Sequence, residues 1–342
     1  MTYNFNKGTY LIAEAGVNHN GNYLIAKKLV EKAAACKANA IKFQIFNADS
    51  LSLKNAKMAN YQIKNLKKNI SQHTMLKSLE LRKGEYIRLK KIASKKNIDF
   101  LVSVFDEKSL DYFEKHIKSK VIKIPSGEIT NYFLLKKLNL NKYKIILSTG
   151  MSNIPEIKDA LNLIAKKKVY EFKNKKIFII NKKKYSYIKN RIFLLHCVSD
   201  YPTQEKFLNL NCIKTLNDQF GLKTGFSDHT KDIKAATISV ALGAKIIEKH
   251  FTLNKKMKGP DHSSSLDPSE LRILVNEIKK TEIILGSKVK KAQMCEYANM
   301  RSIRKSIVAN QNIKKFDKIS EQMLTAKRPA IGISPMKIKK II

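Results

Sequence analysis

Acidic residues are scarce in this chain: 28 Asp and Glu stand against 67 Lys and Arg, a formal charge of +39 over 342 residues. Cysteine is scarce as well. Cys36, Cys197, Cys212 and Cys295 are scattered and form no CxxC pair, which excludes a zinc ribbon and a disulfide framework and favours reduced thiols. Cys197, beside His196, reads as a buried strand cysteine rather than a nucleophile. No apolar run approaches the ~18 residues a membrane helix needs. The opening MTYNFNKGTYLIAEAG lacks the charged start, apolar middle and small-residue cleavage site of a signal peptide. A cytoplasmic location and no membrane partner are therefore expected. What the chain does have is apolar content of 43%, within the globular range.

An excess of Lys and Arg is the electrostatic mark of a nucleic-acid binder. Here, however, the lysines run along the whole chain on the polar faces of amphipathic segments. They read as solvated faces, and nucleic acid is not expected as a partner. The charge should still draw in anionic ligands.

Short β-branched and aromatic segments alternate with helical periodicity from residue 9 to about 285. The strands are expected at 9–16, 40–46, 99–106, 121–127, 144–150, 192–199, 223–229 and 245–252. Helices are expected at 22–38, 84–97, 154–167, 233–242 and 268–285. Eight strands with intervening helices predict an α/β fold, a (β/α)8 TIM barrel over residues 1–285; a doubly wound open sheet is the alternative. Residues 47–80 read as a long polar connection, and residues 168–190 as a solvated β-hairpin insertion. Residues 286–300 read as a linker. Residues 301–342, broken by Gly and Pro, predict a second domain too small for much core of its own.

Reactive groups of such a barrel gather at the C-terminal strand ends. Those ends carry Glu14, Lys42, Gln44, Lys123, Ser126, Glu128, Ser148, His196, Ser199, Tyr201, Ser227, His229, Glu248 and His250, where a barrel interior would ordinarily be Val, Ile and Leu. His229 and His250, from adjacent strands, suit a divalent ion with open positions, with Glu14, Glu248 or Asp261 available to complete or support its shell. The alternative is a structural histidine pair. Lys42 and Lys123 alternate with apolar residues and need an anionic partner, since an unpaired buried ammonium costs several kcal/mol. A phosphorylated carboxylate would serve, and so would Glu14 or Glu128. Ser126, Gly127, Ser148 and Gly150 offer small donors and close backbone approach to phosphate oxygens.

Together the stretches IAEAGVNHNG, IKFQ, IKIPSGEI, ILSTGM, LLHCVSDYPT, GFSDHT, EKHFT, GPDHSSSLDP and KRPAIGIS give a nearly end-to-end likeness. The chain resembles the sialic acid synthase family of N-acetylneuraminate, legionaminate and related nonulosonate synthases. The resemblance implies a barrel followed by a small antifreeze-protein-like (SAF) domain, in a domain-swapped homodimer where that domain covers the partner's active site. It implies condensation of phosphoenolpyruvate with an N-acyl amino sugar to a nonulosonic acid, with release of phosphate. N-acetylneuraminate from N-acetylmannosamine is the expected product, and N,N'-diacetyllegionaminate from a diacetamido-trideoxyhexose the alternative.

By the same resemblance, His229 and His250 would hold manganese or magnesium. Lys42, Lys123, Ser126, Ser148, Ser199 and Ser227 would hold phosphoenolpyruvate; Asn commonly stands at the position of Ser199 in some members. Gln44, Glu128, Tyr201 and Asp261 would lie on the sugar side, with Glu14 near the reacting carbons. Arg328 would reach the sugar's acylamino group from the other subunit. Ala330 stands where the family usually has Gly. More distant alternatives are a barrel aldolase that uses Lys42 or Lys123 as a Schiff base, and a basic, non-catalytic nucleic-acid-binding protein.

Overall fold

The computed structural model describes residues 3, 5, 8–68 and 70–342. The expected strands form β1 (Tyr10–Gly16), β2 (Ala40–Ile45), β3 (Asp99–Val104), β4 (Val121–Ile124) and β5 (Lys144–Ser148). The antiparallel hairpin β6 (Tyr170–Lys173) and β7 (Lys176–Ile179) follows, and then β8 (Ile192–Cys197), β9 (Thr224–Asp228) and β10 (Ile246–His250). Without the hairpin, eight parallel strands close in the order β1-β10-β9-β8-β5-β4-β3-β2. Closure runs through β1 and β10, paired from Tyr10↔Ile246 to Glu14↔His250. That pairing excludes the open doubly wound sheet.

Strand alternation sorts side chains into two environments. Outward residues such as Ile41, Phe43, Phe100, Val102, Ile145, Leu147 and Ile247 join the core shared with the helices. Inward residues near the strand starts, including Ile12, Ala40, Leu101, Val121, Ile146, Phe193 and Ile246, fill the barrel floor together with Phe5. The helices form for local reasons that the sequence carries. In Ile154–Ala165, Asn153 accepts from the Glu156 amide and Glu156 reaches back to the Asn153 amide, a reciprocal cap with proline in the first turn. Its buried face is Ile157, Ala160, Leu161 and Ile164; each large apolar side chain contributes roughly 1.5–3 kcal/mol.

Three segments differ from expectation. Residues 47–80 hold three short helices, Ala48–Leu51, Asn60–Leu66 and Gln72–Leu79. They pack around Val17, Phe46, Met58, Met75 and Leu79, so this connection carries its own small core. Its apolar residues are too widely spaced to give one helical period, which is why it reads as loop. The 168–190 insertion contains the expected hairpin and also a helix, Lys182–Ile188, anchored by the buried Tyr170 and Ile188. The supposed linker contains a helix, Tyr297–Ile303, within a second unit spanning Gly286–Ile342.

That second unit pairs β11 (Ser306–Ala309) antiparallel with β12 (Leu324–Lys327). Ser306 is its one buried residue among those described. The Ser306 hydroxyl accepts from the Ile331 and Gly332 amides and donates to the Pro329 carbonyl. Arg328 is exposed, and Ala330 needs no left-handed backbone; its amide donates to the Arg301 carbonyl. Among the described residues no helix is long and apolar enough to cross a membrane.

Candidate active site

Above the apolar floor, each of the eight barrel strands turns a polar side chain inward, Glu14, Lys42, Ser103, Lys123, Ser148, Cys197, Ser227 and Glu248, with Gln44 and His250 following on β2 and β10; all line one cavity of about 470 Å³. Strand register sets the pairings. Glu14 lies directly across from Lys42, Lys123 from Ser103, and Glu248 from Ser227. Lys42 Nζ is 2.8 Å from Glu14 Oε2 and 3.5 Å from Glu248 Oε2, and it donates to Ser103 Oγ at 2.7 Å. Lys123 Nζ donates to Glu248 Oε1 at 2.9 Å, and Ser227 Oγ donates to the same oxygen at 2.8 Å. Neither lysine is therefore unpaired. Glu14 pairs with Lys42 as the alternative reading allowed, but the partner of Lys123 is Glu248, not Glu128.

Burial and charge set the protonation of this ring. Burial disfavours the Lys42 ammonium, but Glu14 and Glu248 outweigh it and raise its pKa. Burial lowers Lys123, with Glu248 compensating only in part. Burial alone would raise Glu248, yet Lys123 and Lys42 hold it well below the usual carboxylate range. Glu14 is pushed up by burial and by the Glu248 charge, against the pull of Lys42. A Schiff base needs a neutral amine, and Lys42 is held as the ammonium.

The ring leaves polar atoms unsatisfied. Glu14 Oε2, Glu248 Oε2, Ser148 Oγ and His250 Nδ1 are buried without a hydrogen-bond partner, and all four residues line the cavity. The two carboxylate oxygens face the Lys42 ammonium, at 2.8 and 3.5 Å. Unpaired buried polar atoms are costly, and their concentration on one cavity marks it as a place for a polar ligand.

His229 and His250 sit at the mouth with ring centroids 5.4 Å apart. His229 Nδ1 donates to the Val198 carbonyl at 2.6 Å, which leaves Nε2 as the lone-pair nitrogen. Burial pushes His229 down to about 4, and burial together with its neighbour drives His250 well below the ordinary value. Both imidazoles are neutral at pH 7. Asp261 Oδ2 lies 4.0 Å from His250 Nδ1, and burial reinforced by Glu14 pushes its carboxyl up to about 7. Among the described residues no group of three or more His, Cys, Asp and Glu is arranged to hold a metal. Two neutral imidazoles with a carboxyl alongside still fit a divalent ion that takes its remaining ligands from water or substrate. Glu14 and Glu248 are committed to the lysines, so Asp261 is the remaining supporting carboxylate.

Ser126, Ser199 and Cys197 surround Gly150, whose amide donates to Ser126 Oγ at 3.0 Å. A Cβ there would fall 2.5 Å from Ser199 Oγ and 2.7 Å from Cys197 Sγ, so only glycine allows this approach. Cys197 is a buried thiol, its pKa raised by burial. Gln44 donates to Glu14 Oε1 at 3.2 Å, and Tyr201 stacks on His229 with centroids 4.0 Å apart.

Two expected strand-end residues of the barrel, Glu128 and His196, do not line this cavity, and Arg328 was expected from the partner subunit. Glu128 follows β4 in a short helical turn, accepts from Asn131 Nδ2 at 2.7 Å and does not line the cavity. Arg328 belongs to the second unit. His196 faces outward, bonded to the Leu208 carbonyl and stacked on Phe226. Sequence reasoning missed Ser103 and Tyr61. Ser103 was legible as the polar inward position of β3. Tyr61 stacks on Tyr201 at 4.8 Å from within residues 47–80, where no periodicity pointed to it.

A family model described as the NeuB family matches residues 29–290. The chain belongs to the NeuB family. It is 45% identical to N,N'-diacetyllegionaminic acid synthase of Campylobacter jejuni subsp. jejuni serotype O:2, over 98% of this chain and 95% of the relative. A second N,N'-diacetyllegionaminic acid synthase, from Legionella pneumophila, is 39% identical over 97% of this chain and 89% of its own length. The crystal structure of N-acetylneuraminic acid synthetase from Leptospira borgpetersenii, in complex with citrate, matches with a TM-score of 0.70 and 33% identity, covering 86% of this chain and 91% of that one. The chain is thus a nonulosonic acid synthase by family, an enzyme of transferase-type condensation. The relatives shift the expected product from N-acetylneuraminate to the alternative, N,N'-diacetyllegionaminate.

Proposed function

We propose that this NeuB-family chain condenses phosphoenolpyruvate with a diacetamido-trideoxyhexose to give N,N'-diacetyllegionaminate and phosphate. The observation that carries the reading is one cavity in which two ammonium groups stand beside the unpartnered Ser148 hydroxyl and His250 nitrogen. Lys42 and Lys123 meet the anionic charges of phosphoenolpyruvate; at an effective dielectric near 20, an ammonium about 4 Å from an anion gains roughly 4 kcal/mol. Ser126, Ser148 and Ser199 donate to its oxygens, and Ser227 joins them by turning its hydroxyl away from Glu248. Identities of 45% and 39% to two diacetyllegionaminic acid synthases favour the diacetamido sugar over N-acetylmannosamine.

His229, His250 and Asp261 would hold a divalent ion, Mn or Mg, which when bound supplies Lewis-acid polarisation of the sugar aldehyde. Gln44 and Tyr201 orient the sugar so that its aldehyde carbon meets carbon 3 of phosphoenolpyruvate. Water then adds at carbon 2. Glu14, its pKa raised, takes one proton from that water and returns it to the departing phosphate oxygen as the carbon–oxygen bond breaks, while the second proton leaves the carbon 2 hydroxyl as it becomes the keto oxygen and neutralises the alkoxide formed on the sugar's aldehyde oxygen. Glu128, bonded to Asn131, has no part in these steps. The second unit is assigned as a SAF domain that covers the partner's barrel in a homodimer, with Arg328 on the acylamino group. The scattered free cysteines support a cytoplasmic site for the reaction.

Mass spectrometry of products formed from phosphoenolpyruvate and a panel of N-acyl amino sugars tests this. The diacetamido-trideoxyhexose should yield the nonulosonate with one phosphate per turnover. Activity should vanish on exhaustive chelation and return with Mn or Mg. In the same assay Arg328→Ala should raise the sugar KM at least tenfold and leave the phosphoenolpyruvate KM unchanged. Absence of any condensed product from metal-replete protein would overturn the reading.

A further inference from the structure

The cavity has two unlike halves. Its floor is the charged ring. Part of its wall is apolar: Leu51, Leu76 and Phe105 stand there half-buried, backed by the buried Val17, Met75 and Leu79, with Gln62 and Gln72 of the same connection lining the cavity as well. Leu51 and Leu76 come from the helices Ala48–Leu51 and Gln72–Leu79, in the connection whose role the sequence left open.

Hydrogen bonds tie this wall to its surroundings. The Ala48 amide donates to Glu80 Oε1 at 2.7 Å, Lys77 and His73 both bond Asp49, and the Asn65 amide group donates to the Pro260 carbonyl at 2.6 Å. That last bond ties the helix Asn60–Leu66 to the segment carrying Asp261. Tyr61, on the same helix, stacks on Tyr201, which in turn stacks on His229. The wall thus shares one cavity with Tyr201, His229 and His250, the residues assigned above to the aldehyde end of the sugar.

We infer that Leu51, Leu76 and Phe105 form a specificity wall for the far end of the amino sugar, selecting methyl-bearing substituents over hydroxyls. The inference rests on the condensation proposed above and extends it to the residues that choose the sugar. A terminal deoxy carbon and an acetamido methyl bury apolar surface against this wall. A hydroxyl placed there loses its water and finds no side-chain partner among the three residues. One methyl-sized difference in an apolar pocket is worth about 10–200-fold in kcat/KM.

The test is the ratio of kcat/KM for a diacetamido-trideoxyhexose to that for N-acetylmannosamine, each with saturating phosphoenolpyruvate. The metal-replete wild type should favour the diacetamido sugar at least tenfold. Leu76→Asn should cut the ratio about tenfold or more with the phosphoenolpyruvate KM within twofold of wild type, and Leu76→Met should retain it. Leu51→Ala, on a separate helix, should lower the ratio severalfold and serves as the test if Leu76→Asn does not fold. A wild type that prefers N-acetylmannosamine, or a ratio unmoved in the folded variants, overturns the inference. A wild type that condenses neither sugar instead overturns the proposed function.

Discussion

Two buried ion clusters lie one residue apart on β10, and they behave differently. Glu248 faces into the barrel and shares Lys123 and Lys42, with Glu14 completing a ring in which two carboxylate oxygens lack hydrogen-bond partners. Lys249 faces outward and is wholly buried. Its ammonium bonds Asp228 Oδ2 at 2.9 Å, the Thr230 carbonyl at 2.7 Å and Thr230 Oγ1 at 3.0 Å. The outer pair is closed and satisfied on every donor. The inner ring is balanced in charge and incomplete in hydrogen bonding, the condition of a site that waits for a ligand. Charge type does not separate structure from function here; satisfaction does.

The largest expected effect breaks the closed pair. Lys249→Met leaves Asp228 buried without a cation and should cost about 3–5 kcal/mol of stability, read as a lowered urea midpoint. The contrasting Lys123→Met leaves Glu248 with Lys42 and Ser227, so its stability loss should be clearly smaller. Its activity should instead fall 10²–10³-fold, about 3–4 kcal/mol in transition-state stabilisation. If both variants lose stability equally and Lys123→Met keeps its activity, the distinction between the clusters fails.

A smaller effect concerns Asp261. Its folded pKa, about 7, lies above the unfolded value of 3.8, so the folded state holds the extra proton between those values. Stability of the metal-free protein should therefore fall as pH rises from about 4 to 7, by roughly 2 kcal/mol between pH 5 and 7. Asp261→Asn should flatten that slope. Urea denaturation of chelated protein at pH 5, 6 and 7 measures it, and an identical slope in both proteins would refute the raised carboxyl.

The barrel was legible because its strands are short, β-branched and separated by helices of ordinary length, a pattern few other folds produce. His229, His250 and the strand-end serines were legible because polar residues break that pattern near one end of the strands. Glu128 misled for the same reason: it follows β4 directly, but the chain turns in a helical step there and sends its carboxyl to Asn131. The wall of residues 48–80 was invisible, since its helices span four to eight residues and bury at most two side chains each.

Sequence alone determined which residues alternate inward and outward, and hence that an apolar floor would carry a polar layer above it. Period-two alternation is local, so it needs no knowledge of neighbours. Only the tertiary structure decided which charge meets which. That follows from parallel register and barrel closure, which bring Glu14 beside Lys42 and set Glu248 within reach of both lysines. These pairings join residues from 28 to 206 positions apart, and no spacing along the chain encodes them.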